Sequence, residues 1–154
     1  GTKANLLLAL VKESDDRLIA QLQALTEDLP EDIREAVAEF GRIMRRHAMT
    51  YLTKRTWREV IAATILHGGR EFGQTYKALD RVLIAIMAEL IERYQSNGFL
   101  SAEVDTAGFA DTLFEVQNIR FFQFISDDEQ GEDEAEQIFR RDVWAIFSNK
   151  EVNT

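Results

Sequence analysis

From Ile33 to Tyr51 the residues Ile33, Val37, Phe40, Met44, His47 and Tyr51 recur at offsets of 4, 7, 11, 14 and 18. Only an α-helix, at 3.6 residues per turn, brings that spacing onto one face. The same period runs through nearly the whole chain. Residues that would interrupt it are scarce, with one proline and eight glycines among 154 residues. No stretch alternates with period two and no segment repeats. The expected fold is all-α, in one domain of residues 1–154, long enough to bury roughly 70% of its unfolded-chain surface.

Six helices are expected. Thr2 is placed to cap the first, which runs to about Leu25 with Leu7, Val11, Leu18, Leu22 and Leu25 on its buried stripe. Leu29-Pro30 breaks it. Pro30, Glu31 and Asp32 suit the first turn of the second helix, where a missing N–H costs nothing and acids meet the positive end of the helix dipole. Thr56-Trp57-Arg58-Glu59 has capping-box form and starts a short third helix, interrupted at His67-Gly68-Gly69. The fourth carries Phe72, Tyr76, Leu79, Leu83, Met87, Leu90 and Tyr94, and Asn97-Gly98 stops it. Asp105 caps the fifth, to about Ile125. An acidic connector holding Gly131 leads to the sixth, from about Glu134 to Phe147.

The last two helices differ from the others. Between Phe109 and Phe147 stand seven phenylalanines and Trp144, eight of the fifteen aromatics in the chain. On the fifth helix Phe109, Leu113, Val116 and Phe124 mark one side, and Phe114, Phe121 and Ile125 another. A helix apolar on two sides must be covered on both. Either it is the central helix of a single-chain bundle, or one side meets the core and the other a second subunit, since aromatic residues are enriched at interfaces.

Taken with this helix order, the opening Gly1-Thr2-Lys3-Ala4-Asn5-Leu6 resembles the junction of the tetracycline-repressor (TetR) family of bacterial transcription regulators. There a three-helix DNA-binding module ends in Gly-(Ser/Thr)-Lys-x-x-Leu, and a connecting helix leads into an all-helical regulatory domain. Gly98, Leu100 and Asp105 also resemble the family's approach to its penultimate helix. The resemblance implies a six-helix effector-binding and dimerisation domain, with residues 1–25 as the connector from a helix-turn-helix module upstream of this chain. It implies a cytoplasmic homodimer in which the last two helices pair with their copies as a four-helix bundle. The interface would be built from Phe114, Phe121, Ile125, Phe139, Val143 and Phe147. Operator DNA would be bound through the upstream module, at sites one helical turn apart, about 34 Å. An effector would change that spacing by favouring another tilt of the connector helix. The alternative is an unrelated helical bundle that binds a protein partner through its aromatic helices.

Composition bounds the chemistry. A net charge of −9 argues against this chain contacting phosphates by itself. There is no cysteine, which excludes disulfides and thiolates and fits a reducing compartment. No apolar run of about 18 residues indicates a membrane span. With two histidines and neither His-x-x-x-His nor Glu-x-x-His spacing, neither a metal site nor an enzyme is expected, and no cofactor. His67-Gly68-Gly69 is similar to an esterase oxyanion loop, but no Gly-x-Ser-x-Gly accompanies it, so a hinge is expected there.

A small-molecule pocket is mostly apolar with a few placed polar groups. It is expected between the second, third and fourth helices, with the fifth closing one side. Tyr51, Trp57, Ile61, Phe72 and Tyr76 would supply wall and His47 or Asn118 a hydrogen bond. Arg58 would meet an anionic head group. That wall favours an apolar or aromatic effector. Six basic residues and no acid lie from Arg42 to Arg58, and the Asp127–Glu136 run is strongly acidic; both read most simply as solvated surface.

Overall fold

The computed structural model describes residues 2–67 and 71–147, apart from the side chains of residues 2, 4, 5, 8 and 71–73. These residues form six α-helices and no strand: α1 Thr2–Glu27, α2 Ile33–Tyr51, α3 Lys54–Leu66, α4 Glu71–Ser96, α5 Thr106–Ser126 and α6 Glu132–Ile146. None is long and apolar enough to cross a membrane. Gly1, Gly68 and Gly69, and the side chain expected to cap α1 at Thr2, lie outside the described residues.

The helix starts follow local chemistry, in two places differently from expectation. Pro30 lies in the connector, where its carbonyl accepts the Tyr94 hydroxyl proton, and α2 starts at Ile33. Asp32 caps it. Its Oδ1 accepts the Arg34 backbone N–H at 2.9 Å, and the Arg34 guanidinium holds the carboxyl below its usual range. Thr53, not Thr56, caps α3, because Thr53 has the extended backbone that a cap needs and its Oγ1 accepts the Thr56 N–H at 3.2 Å. Glu59, freed from the expected box, pairs with Lys3 of α1 at 3.0 Å. Asp105 caps α5 as expected, accepting from the Gly108 N–H at 3.0 Å. Gly98 ends α4 at φ +82°, in the left-handed region that favours glycine.

α5 is the central helix, packed on α3, α4 and α6, while α2 lies between α1 and α6. The main core joins Leu22 of α1, Val37 and Phe40 of α2, and Leu90 and Ile91 of α4 to Leu113 and Phe114 of α5, and to Phe139, Val143 and Phe147 beyond. A second cluster gathers Val11, Leu52, Trp57, Val60, Ile61, Phe121, Phe124 and Ile125 around α3. α2 and α6 approach closely at Gly41, where a Cβ would run into the Phe139 ring.

This packing places the six residues expected at a subunit interface inside the chain. Phe114, Phe121, Ile125, Phe139, Val143 and Phe147 are all buried within one chain. The two apolar sides of α5 are covered by the chain's own helices. The period of α5 shows that two sides need cover; it does not show that α6 also lies against α2 and closes the second side from within. What α5 leaves outside is mostly polar, with Ile119 as its one strongly exposed large apolar residue. Bidentate pairs tie α6 down: Arg140 to Glu35 of α2 at 2.7 and 2.9 Å, and Arg120 of α5 to Asp142 at 2.7 and 2.9 Å. Trp144 lies at the surface under the guanidinium groups of Arg34 and Arg140.

Candidate ligand cavity

A cavity of about 70 Å³ opens between α1, α2, α3, α4 and α5. One water needs roughly 10–15 Å³ on such a measure, so there is room for several waters or a small organic group. Five of the eight residues expected at a ligand site line it: His47, Tyr51, Trp57, Tyr76 and Asn118. Ile61 instead fills the second core cluster. Arg58 points away: its Nη1 donates to the Ile125 carbonyl at 2.6 Å and to Asp128 at 3.0 Å. With Lys54, whose Nζ donates to the carbonyls of Asp127 and Gln130, it braces the C-terminal end of α5 and the loop beyond. Both are positive charges at the negative end of a helix, which explains two members of the basic run without any ligand. The Phe72 side chain lies outside the described residues.

The aromatic wall is held from behind. Trp57 donates its indole N–H to the Ala48 carbonyl at 2.8 Å and meets the Phe121 ring edge-on, 5.4 Å between centroids. The His47 and Tyr51 rings lie 4.9 Å apart, and Tyr51 accepts a hydrogen bond from Arg17 at 3.1 Å. Tyr51 is 38% exposed and stands at the mouth. Phe121, expected at a subunit interface, is cavity wall.

α1 supplies a wall that the sequence reading did not assign. Val11, Ser14, Asp15 and Leu18 face the cavity, and Asp80 of α4 and Gln117 of α5 join them. A signal for these was present. Ser14 and Asp15 fill the one-turn gap in the stripe between Val11 and Leu18. Asp80 falls between Tyr76 and Leu83, and Gln117 between Phe114 and Phe121. Each is a polar residue in the middle of an apolar helical face.

The polar groups here are poorly satisfied. The Gln117 amide oxygen and His47 Nε2 are buried with no hydrogen-bond partner. Burial lowers the His47 pKa, assisted by the nearby Arg17 charge and opposed by the Ser14 backbone. Burial raises the Asp15 carboxyl to about 6, with the like charge of Asp16 adding and Lys12 opposing. Burial likewise raises Asp80 to about 7, with Glu115 adding. Both carboxyls act on Tyr76, whose hydroxyl is pushed up mainly by burial and then by Asp80 and Asp15. Neither Asp15 nor Asp80 has an ion pair or hydrogen bond among the described residues.

A smaller cavity of about 10 Å³ lies on the far side of Gln117, lined also by Arg45, Arg120 and Phe139. Arg45 is buried with its Nε unpartnered, and the charges of Glu136 and Glu132 oppose the lowering of its pKa by burial. No group of three or more His, Cys, Asp or Glu among the described residues is placed to hold a metal ion. The Ser14 hydroxyl donates to the Val11 carbonyl of its own helix at 2.8 Å. The arrangement can enclose and orient a small molecule. A scan against models of protein families finds no match, and searches of curated proteins and of solved structures find none either.

Proposed function

We propose that this chain is the effector-binding domain of a TetR-like transcription regulator. One observation carries the ligand-binding part: a cavity, walled by Tyr51, Trp57, Tyr76 and Phe121, that holds buried polar atoms without partners. An unpartnered buried acceptor costs free energy that an apolar side chain would not, and a ligand donor removes that cost. The regulatory part rests on the resemblance of the opening segment and the helix order. α1 links the two, because the helix that follows the junction residues contributes Val11, Ser14, Asp15 and Leu18 to the cavity. A ligand there would favour one tilt of α1 over another. A few kcal/mol of differential affinity would suffice to shift DNA binding.

The homodimer stays part of the reading through the resemblance alone, since the aromatic faces that first suggested it are internal. A second copy docked on α5 and α6 would meet Ile119, Trp144 and the half-buried Phe122 and Ile138. The alternative, a protein-interaction module presenting aromatic helices, would have Trp144 and the half-buried Phe122 as its aromatic surface on α5 and α6.

The test is a gel-shift titration comparing this chain with the same chain joined to the residues encoded upstream. The longer protein is expected to bind a pseudo-palindromic duplex and this chain none. Specific binding by this chain alone, or an upstream sequence without a basic three-helix pattern, overturns the regulatory reading. Light scattering tests the dimer separately: a mass of 17.7 kDa rather than twice that removes it.

A further inference from the structure

The cavity has a sign. Its lining carries two carboxyls, Asp15 and Asp80, the bare acceptor Gln117 Oε1, and the unpartnered ring nitrogen His47 Nε2. Gln117 is 7% exposed and stands between this cavity and the smaller one. No cationic side chain lines the space. The positive charges that act on this lining stand outside it, Lys12 acting on Asp15 and Arg17 on His47. Arg17 is an exposed residue bound to the outer Tyr51 hydroxyl, Lys12 is exposed, and Arg45 lies across Gln117 in the neighbouring cavity under the influence of Glu132 and Glu136. The remaining wall is aromatic and aliphatic.

We propose that this cavity takes a small organic cation, an ammonium or amidinium group on an aromatic or branched apolar body, with its charge against Asp15 and Asp80 and its body among Trp57, Tyr76 and Phe121. The proposal rests on the effector-binding reading and names the ligand class. An N–H cation answers the unmet acceptors at once. It gives the carboxylates a counter-charge, gives the Gln117 oxygen a donor, and offers the ring faces a positive charge. An anion would meet two carboxyls and no cation. A neutral ligand would leave the carboxyls as they are, each favouring its protonated form through burial. Binding a cation lowers both carboxyl pKa values, so uptake of the ligand releases protons near neutral pH, and affinity rises with pH between about 6 and 8.

The experiment compares benzylammonium, benzyl alcohol and benzoate, which share a body and differ in charge. The four-carbon set isobutylammonium, isobutanol and isobutyrate repeats the comparison at smaller size. Trp57 fluorescence in a Trp144→Phe background reports binding, and calorimetry in two buffers of different ionisation enthalpy reports proton release. At pH 7.5 the ammonium of at least one set is expected to bind about tenfold more tightly than its alcohol, with the carboxylate weakest. Asp15→Asn with Asp80→Asn is expected to abolish that preference while alcohol binding persists, circular dichroism confirming the fold; Asp80→Asn alone loses part of it. Equal affinity for ammonium and alcohol, a preference for the carboxylate, or a cation preference that survives the double variant overturns the proposal. Tight binding of an alcohol or carboxylate would leave the effector-binding reading standing. If no member of either set binds at millimolar concentration, both fail.

Discussion

The bundle has two ends built from the same helices to different standards. At one end Phe40, Leu90, Ile91, Leu113, Phe114 and Val143 are wholly buried against one another. At the other, the same α2, α4 and α5 arrive with His47, Asp80 and Gln117 where the first end has aliphatic or aromatic residues, and a space remains among them. The first end holds the chain together. The second carries unmet polar groups and empty volume, both of which lower stability, as sites built for function commonly do. One helix can serve both ends because its apolar stripe is continuous: α5 contributes Leu113 and Phe114 to one cluster and Phe121, Phe124 and Ile125 to the other.

The largest test of this contrast is truncation. Phe114→Ala removes a ring from the dense end and is expected to cost about 3–5 kcal/mol in denaturant unfolding. Phe121→Ala, beside an existing cavity, is expected to cost about half as much. Equal losses would mean that the two ends are packed alike. Next, Gly41→Val places bulk against the Phe139 ring where α2 and α6 meet and is expected to cost about 1–3 kcal/mol. A neutral result would show that α6 can shift away from α2.

A third test uses pH and has the opposite sign. The folded chain holds the Asp80 and Asp15 protons more tightly than the unfolded chain, because burial raises both from 3.8, to about 7 and about 6. The stability linked to them is full below pH 3.8 and is lost as pH rises through about 6 and about 7. Asp80→Asn is therefore expected to stabilise the free protein by about 1–2 kcal/mol at pH 8 and hardly at all at pH 4. Glu35 and Asp32, held low by hydrogen bonds from Arg140 and Arg34, act in reverse, with stability present above their ordinary values and lost as pH falls. The melting temperature should thus fall between pH 5 and pH 8 in the native sequence and flatten in the double Asn variant. The smallest effect is expected for Arg58→Ala, about 1 kcal/mol for the carbonyl at the end of α5. It should leave the preference for the ammonium over the alcohol unchanged, which a direct role for Arg58 in the cavity would contradict.

The all-α class and the six helices were legible because the 3.6 period and the breakers are local signals. Asp105 and Gly98 could be read because a cap and a left-handed turn depend on a few neighbouring residues. Thr53 was hidden by Thr56, since two threonines three residues apart compete for one capping role and only the backbone decides between them. The aromatic concentration after Phe109 was visible, but what covers it depends on the angle at which α6 lies across α2, and no local pattern encodes that angle. In the cavity, Tyr51, Trp57 and Tyr76 were found by residue type. Asp15, Asp80 and Gln117 were passed over because an apolar stripe draws attention to its apolar members, whereas here the interruptions carry the chemistry.

Trp57 lies on the first turns of α3 between Lys54 and Arg58, and those two flanking side chains grip the carbonyls at the end of α5 and in the loop before α6. The indole and the two cations share one short rigid rod, so they have few independent degrees of freedom. Whatever pushes the ring outward must also tug the anchored loop from residue 127 to residue 130, as a crank turns its shaft. Slowed or hastened amide hydrogen exchange in that loop, well away from the ring itself, would record the occupancy of the cavity.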